Sequence, residues 1–155
     1  MKKFTPKNVA TEIRNSLRST FNIPSNDFFA ILPTSSKGYS VTFESPYKDI
    51  YTCNIYLTPS HISNDEEVTS PLFACIEVKL RVVSDDSVTD CFRELRLLRI
   101  SDFAQIPLIL YFIQKASLQI FENTDHHHIY ATLFEDNDIS DKVRGIVDTS
   151  LISEL

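Results

Sequence analysis

A long apolar stretch from Pro107 to Glu122 constrains the fold most, because it predicts a helix that other elements must cover. Proline suits the first helical turn, where its missing N–H would have no intrahelical partner. At about 100° per residue, roughly half of the helix surface is apolar, and we expect that half to face the core. The residues of this half are Ile109, Leu110, Phe112, Ile113, Ala116, Ile120 and Phe121.

The other half of the same helix carries a second, narrower apolar seam. Its members are Leu108, Tyr111, Lys115 and Leu118, spaced by three and four residues in the way typical of a helix that contacts another helix. Either the helix packs on two sides, or the seam binds a partner chain, and we take these four residues as candidate partner-binding residues. The stretch is too short and too interrupted by polar residues for a membrane span, which needs ~20 apolar residues, so we expect no membrane partner.

The scarcity of glycine excludes several chemistries. Only Gly38 and Gly145 occur in the chain. Dinucleotide-binding and P-loop motifs need several glycines so that the backbone can approach phosphate closely. A G-x-S-x-G elbow is absent as well. We therefore expect a protein that is not an enzyme and that has no cofactor.

Length and cysteine content predict the number of domains and the cellular compartment. A chain of 155 residues is predicted to form one domain, 1–155, with a core large enough to need neither disulfides nor metal. The three cysteines, Cys53, Cys75 and Cys91, are an odd number without C-x-x-C spacing, and no N-terminal apolar run for export is visible. Reduced thiols and an intracellular location, cytoplasmic or nuclear, are the expectation.

The first third of the chain predicts a helix followed by strands. Thr5 and Pro6 form a helix start, and Val9, Ile13 and Leu17 recur every four residues to give one apolar stripe that ends at residue 21. Residues 28–32 then predict a short buried strand. Alternation over 39–44 and 51–57 predicts two half-buried strands, and the short connections favour an antiparallel meander.

Residues 58–100 contain one segment whose sequence fits two kinds of secondary structure. We expect an exposed acidic loop over 58–71 and a strand over 76–82, whose apolar edge at 73–83 could pair with another chain. Residues 87–100 fit either a hairpin strand or a helix. We favour the helix, because Ser87 and Asp90 fit a capping box and a two-residue hairpin would place Arg93 opposite core-facing Val78. The apolar residues on one face of that helix are Val88, Cys91, Phe92, Leu95 and Leu98.

The C-terminal part completes the predicted architecture. Residues 128–134 have strand character, and a short helix is expected over 141–147. The fold class is α+β: an N-terminal helix, an antiparallel meander of about four strands, then two or more C-terminal helices packed on one sheet face. The element order resembles the small α+β architecture of RWD and E2-like domains, a likeness that carries no functional motif.

A basic patch is the main candidate for binding. On a helix over 87–100, Arg93, Arg96 and Arg99 would lie within a third of a turn of one another, and Lys79 and Arg81 could join them. Such a patch suits an acidic protein surface or phosphates. The net charge of −6 argues against tight nucleic-acid binding.

Histidine and cysteine clusters are weaker candidates. His126 and His128 could share a strand face and bind a metal with Glu135 or His61, but the spacing matches no known site, so we expect an exposed polar turn and no metal. Cys75 or Cys91 could act as a nucleophile beside a histidine. Buried cysteine acting as a small apolar residue is the common case, and we expect it here.

These observations predict a non-enzymatic protein–protein interaction domain, a subunit or adaptor of a larger assembly. The partner could be a second copy of the chain or a different protein. The alternative is a nucleic-acid-associated factor that uses Arg93, Arg96 and Arg99.

Overall fold

The computed structural model describes residues 2–45, 50–60, 71–84 and 87–122, together with residues 130, 133, 134, 139 and 143. Its helices are α1 (Pro6–Thr20) and α2 (Ile106–Glu122), and its strands are β1 (Phe29–Pro33), β2 (Tyr39–Glu44), β3 (Ile50–Pro59), β4 (Leu72–Ser84) and β5 (Ser87–Ile100). Short 3-10 turns over Asn26–Phe28 and Phe103–Gln105 precede β1 and α2. Most of the predicted acidic loop, residues 61–70, lies outside the described residues.

The strands form one antiparallel sheet in the order β1-β2-β3-β4-β5, so each strand pairs with its neighbour in sequence. The register places Val41 opposite Ile55 and Ile55 opposite Ile76, all three buried. Both helices pack on the face that these residues share, with α1 over β1 to β3 and α2 over β4 and β5. The α+β class and the meander are confirmed, although the described sheet has five strands.

The N-terminal helix forms as its sequence predicts. The Thr5 side chain accepts a hydrogen bond from the backbone N–H of Asn8 at 3.2 Å, which caps a helix that begins at Pro6. Val9, Ile13 and Leu17 are buried. The helix ends before Asn22, whose φ of 53° is the left-handed conformation common just after a helix.

The long apolar stretch forms the helix α2, as predicted. It starts one residue before Pro107, at Ile106. The Asp102 side chain accepts from the backbone N–H of Ala104 at 2.7 Å, and the Gln105 side chain accepts from the backbone N–H of Asp102 at 3.1 Å. This capping box fixes the direction in which α2 leaves the end of β5. Neither helix among the described residues has the length and apolar content to cross a bilayer.

The helix predicted over 87–100 is wrong, because these residues form strand β5. If the pairing of Ser84 with Ser87 continued unchanged along the hairpin, Arg93 would lie opposite core residue Val78. A register shift between Leu80 and Arg81 removes that conflict: Ser84 pairs with Ser87, but Lys79 pairs with Arg93. A β-bulge adds one residue to β5, and a shift of one residue moves every later side chain to the other sheet face.

Three smaller predictions also need correction. The strand predicted as buried, β1, lies at the sheet edge, and its alternate residues Ala30 and Leu32 are exposed. The predicted pairing edge at 73–83 belongs to β4, whose two sides are occupied by β3 and β5. Residues 130, 133 and 134, predicted as strand, are helical, and their spacing of three and four residues is that of one helix face.

A buried hydroxyl pair joins the sheet to α2. The Ser117 hydroxyl donates to the carbonyl of Ile113 at 2.5 Å, so it accepts from the hydroxyl of Tyr51 on β3, also at 2.5 Å. Both side chains are fully buried. Burial in apolar surroundings raises the pKa of Tyr51 well above its usual value, so this phenol stays protonated and keeps donating.

We predict unequal costs for breaking this pair. Ser117→Ala leaves the Tyr51 hydroxyl buried without an acceptor, which costs about 1–3 kcal/mol of unfolding free energy. Tyr51→Phe removes the hydroxyl itself while Ser117 still donates to Ile113, so it costs about 1 kcal/mol. Urea denaturation of both variants measures the difference, and an equal or larger loss for Tyr51→Phe would contradict the assigned direction of donation.

Candidate functional site

The two faces of the sheet meet different surroundings. One face is covered by α1 and α2, and we call the opposite face the outer face. Because strand side chains alternate, the outer face receives every second residue of each strand. Along β4 these residues are Phe73, Cys75, Glu77, Lys79 and Arg81.

Exposed apolar side chains gather on the outer face. Among the described residues, the large apolar side chains that are exposed are Leu32 (59%), Tyr56 (42%), Phe73 (39%), Leu95 (43%) and Leu97 (50%). The strand registers place all five on the outer face. Single exposed apolar residues are ordinary on a protein surface, but a contiguous group on one face marks a candidate interaction site.

Four of these residues form one cluster, which we call the apolar patch: Tyr56, Phe73, Leu95 and Leu97. Tyr56 pairs with Cys75, and Cys75 pairs with Leu97, so these three residues form one row across β3, β4 and β5. Phe73 on β4 and Leu95 on β5 flank this row on opposite sides, each two residues from it along its strand. Leu32 lies in line with this row on the edge strand β1, and Ser40 of β2 separates it from Tyr56.

A polar ladder runs beside the apolar patch. Thr42 donates to the Asn54 side chain at 2.9 Å, and Asn54 donates to one Glu77 oxygen at 3.1 Å. The other Glu77 oxygen accepts from Nε of Arg93 at 2.6 Å. Lys79 lies 3.9 Å from the same carboxylate. The ladder therefore links side chains of β2, β3, β4 and β5 in one connected set.

The ladder explains how charge is buried on this face. Asn54 and Glu77 are both buried, and a buried carboxylate is costly unless it is paired and hydrogen-bonded. Both Glu77 oxygens have donors, so the requirement is met. A satisfied network of this kind also holds the β4–β5 register, because a slip of one residue would separate Arg93 from Glu77.

The predicted basic patch is divided between the two sheet faces. Arg93, Arg99, Lys79 and Arg81 lie on the outer face. Arg96 points to the opposite face, where it lies 3.9 Å from Glu94. The helical cluster of three arginines does not form, because the strand alternates where the helix would have grouped them.

The predicted helix seam is only partly accessible. Leu108 is a core residue, 1% exposed. Tyr111 and Leu118 are half-buried and pack against the core, while Lys115 is exposed and holds its ammonium 5.6 Å from the centre of the Tyr111 ring. Packing on two sides, one of the two interpretations of the seam, accounts for Leu108.

The cysteines differ in accessibility. Cys53 lies on the helix-covered face of β3 and is buried, and burial raises the pKa of its thiol, with the charge of Glu77 adding to the effect. A thiol held protonated in this way is a poor nucleophile. Cys75 is half-exposed in the centre of the apolar patch. The side chain of Cys91 lies outside the described residues.

Other candidates offer less. His61, His126, His128 and Glu135 all lie outside the described residues. A cleft of about 410 Å³ opens between α1 and the start of α2, lined by residues that include Ser16, Pro107 and Leu110. Its one ionisable lining residue among those described is Glu12, which pairs with Lys2. The other polar residues that line it are uncharged: Asn15, Ser16, Ser19 and Thr20.

Comparison of the chain with protein-family models, curated proteins and solved structures finds no match. The outer face therefore has to be interpreted from its own chemistry. Sequence reasoning missed the apolar patch because it assigned residues 87–100 to a helix. The signal that could have found it is the run Leu95, Leu97, Leu98 and Ile100, which puts apolar residues on both faces of a strand, where a strand with one solvent-exposed face usually alternates apolar and polar residues.

We predict that the ladder stabilises the fold measurably. Glu77→Gln replaces one carboxylate oxygen with an NH₂ group that would face a donor, so the free energy of unfolding should fall by about 1–3 kcal/mol. The matched control is Glu94→Gln on β5, where the exposed pair with Arg96 is worth less than about 1 kcal/mol. Denaturant titration compares the two, and equal effects would show that the ladder adds nothing beyond a surface ion pair.

We also predict alkaline destabilisation through Cys53. The unfolded thiol ionises above a pKa of about 8.5, whereas the folded thiol keeps its proton, so the unfolded state gains stability as pH rises. Stability present below about pH 8.5 is then lost at about 1.4 kcal/mol per pH unit for this one group. Urea denaturation from neutral to alkaline pH should show a shallower decline for Cys53→Ala, and identical slopes would contradict the assignment.

Proposed function

We propose that the chain is a non-enzymatic protein–protein interaction domain, a subunit or adaptor of a larger assembly, and that it binds its partner through the outer face of the sheet. The observation that carries the proposal is the apolar patch, Tyr56, Phe73, Leu95 and Leu97, left uncovered by the two helices. Burying apolar surface is the main driving force for protein association.

The composition of the patch suits a protein partner. Two aromatic residues and two leucines lie together on three adjacent strands, bordered by Arg93 and Arg99. Buried interface centres are enriched in aromatic side chains and in arginine, with polar residues at the rim. The polar ladder beside the patch holds these strands in register, so the binding surface is pre-organised and loses little entropy on association.

The helix seam remains a second surface for the same function. Tyr111, Lys115 and Leu118 reach solvent in part, and an amphipathic partner helix could pack beside α2. We rank it below the outer face, because Tyr111 and Leu118 already bury much of their surface against the core.

Nucleic acid is the alternative partner. Phe73 pairs with Arg99, and Tyr56 lies on the neighbouring strand, so aromatic rings and a guanidinium share one open sheet face. Exposed aromatics beside cations can stack on unpaired bases. Against this stand the net charge of −6 and the two leucines in the patch. Phosphate contacts would show as a steep loss of oligonucleotide affinity with rising salt.

We predict that two substitutions in the patch abolish association without unfolding. Tyr56→Asp combined with Leu97→Asp places charge in the centre of the proposed interface, at two positions that do not pair with a carboxylate, and the affinity for the native assembly should fall at least tenfold. Melting should change little, because both side chains are already exposed. Size-exclusion chromatography of the tagged protein from its native cells measures the association, and thermal denaturation measures the stability of the fold.

The control for this experiment is Leu32→Asp, the same change at an exposed leucine of the same face on the distant strand β1. It should leave the assembly intact. An assembly that survives the double substitution but is lost in a folded Tyr111→Glu, Leu118→Glu variant would move the interface to the helix seam.

A further inference from the structure

We infer that the partner presents an acidic and apolar polypeptide segment to the outer face: apolar side chains that cover Leu95 and Leu97, with carboxylates at both ends that meet Arg93 and Arg99. This inference rests on the proposed function and names the chemistry of the partner. Three observations support it: the order of residues along β5, the charge bordering the patch, and the distance between the two arginines.

The order of residues along β5 alternates charge and hydrophobicity on one face. Read along the outer face, the strand presents Arg93, Leu95, Leu97 and Arg99 in succession. The two leucines are about half exposed, and both arginines are exposed. A partner that covers the leucines must therefore pass over or beside both guanidinium groups. Arg93 already donates to Glu77, whereas Arg99 has no carboxylate partner among the described residues. A partner that supplies no carboxylate therefore leaves at least the Arg99 cation facing a buried surface, which is costly.

The cations bordering the patch outnumber the carboxylates. Among the described outer-face side chains of β4 and β5 next to the patch, Lys79, Arg93 and Arg99 are cations and Glu77 is the one carboxylate. Glu77 already accepts from Asn54 and Arg93 and lies 3.9 Å from Lys79. This face is therefore locally positive on a chain whose net charge is −6. Complementary charge favours a negative partner and opposes a basic one.

Arg99 is the cation best placed to contact the partner. It is exposed, and no carboxylate of the described residues lies within salt-bridge distance of it. It pairs with Phe73 across β4 and β5, so it borders the apolar patch directly. A guanidinium in this position can bind a carboxylate through two parallel hydrogen bonds, which lysine cannot do.

The separation of the arginines sets the spacing of the partner's carboxylates. Arg93 and Arg99 are six residues apart on one strand, which corresponds to roughly 20 Å. An extended partner segment would carry acidic residues at a similar spacing of about six residues, and a helical one at a spacing of about thirteen. In both cases the residues between them are apolar on the side that faces the sheet.

The inference is tested by selecting a random-peptide display library on the immobilised whole chain. Enriched peptides are sequenced, synthesised and titrated against the chain and its variants. We expect apolar residues accompanied by Asp or Glu, loss of binding in Leu97→Asp, and about a tenfold weaker affinity for Arg99→Glu. The matched control is Arg96→Glu, the same change on the same strand but on the opposite face, which should leave affinity unchanged.

A charge exchange completes the test. Replacing by lysine the one acidic residue of a selected peptide that meets Arg99, identified by single substitutions, should weaken its binding to the native chain and restore binding to Arg99→Glu. Peptides that need Leu97 but are neutral or basic, or that bind Arg99→Glu as well as the native chain, would overturn this inference and leave the proposed function standing. The same titration is made with a deoxythymidine oligonucleotide, and binding that depends on Arg99 and Leu97 there would also overturn it. If no selected peptide depends on Leu97, the inference and the proposed function both fail.

Discussion

The packing of α1 and α2 on a single face of the sheet is the constraint from which the rest of the molecule follows. A five-stranded antiparallel sheet presents two faces of similar area, and both helices lie on the same one. The covered face carries the buried apolar residues of β2, β3 and β4 and the buried Tyr51–Ser117 hydrogen bond that joins β3 to α2. The chemistry of the uncovered face then decides what the protein can bind.

The outer face has two parts that differ in chemistry. Around Glu77, side chains of four strands satisfy one another through hydrogen bonds, which makes a polar surface that needs no partner. Around Leu97, the same face is apolar and bordered by arginines, a composition that is more stable when covered. This contrast between neighbouring parts of one sheet face is the reason for proposing that the apolar part binds a partner. The polar part already satisfies its own hydrogen bonds, whereas the apolar part would gain stability from being covered.

The sequence predicts most of the covered half of the molecule. Strong periodicity identifies α1, α2 and the strands β2 to β4, since each has one apolar face and one polar face. It fails at β5, where the bulge changes the alternation and the apolar residues imitate helical spacing, namely Val88, Cys91, Phe92, Leu95 and Leu98. The same error groups Arg96 with Arg93 and Arg99, whereas the strand places Arg96 on the opposite face. Long-range pairing with β4 decides the outcome, and local patterns do not contain it.

The central claim is that the outer face, at Leu97, contacts another polypeptide. The most direct measurement places a photo-crosslinking amino acid at position 97, and separately at position 118 on α2, in the full chain expressed in its native cells. The account predicts crosslinks to a second polypeptide from position 97 and none from position 118. Crosslinks from position 118 alone, or no crosslink from position 97 in folded protein, would contradict it.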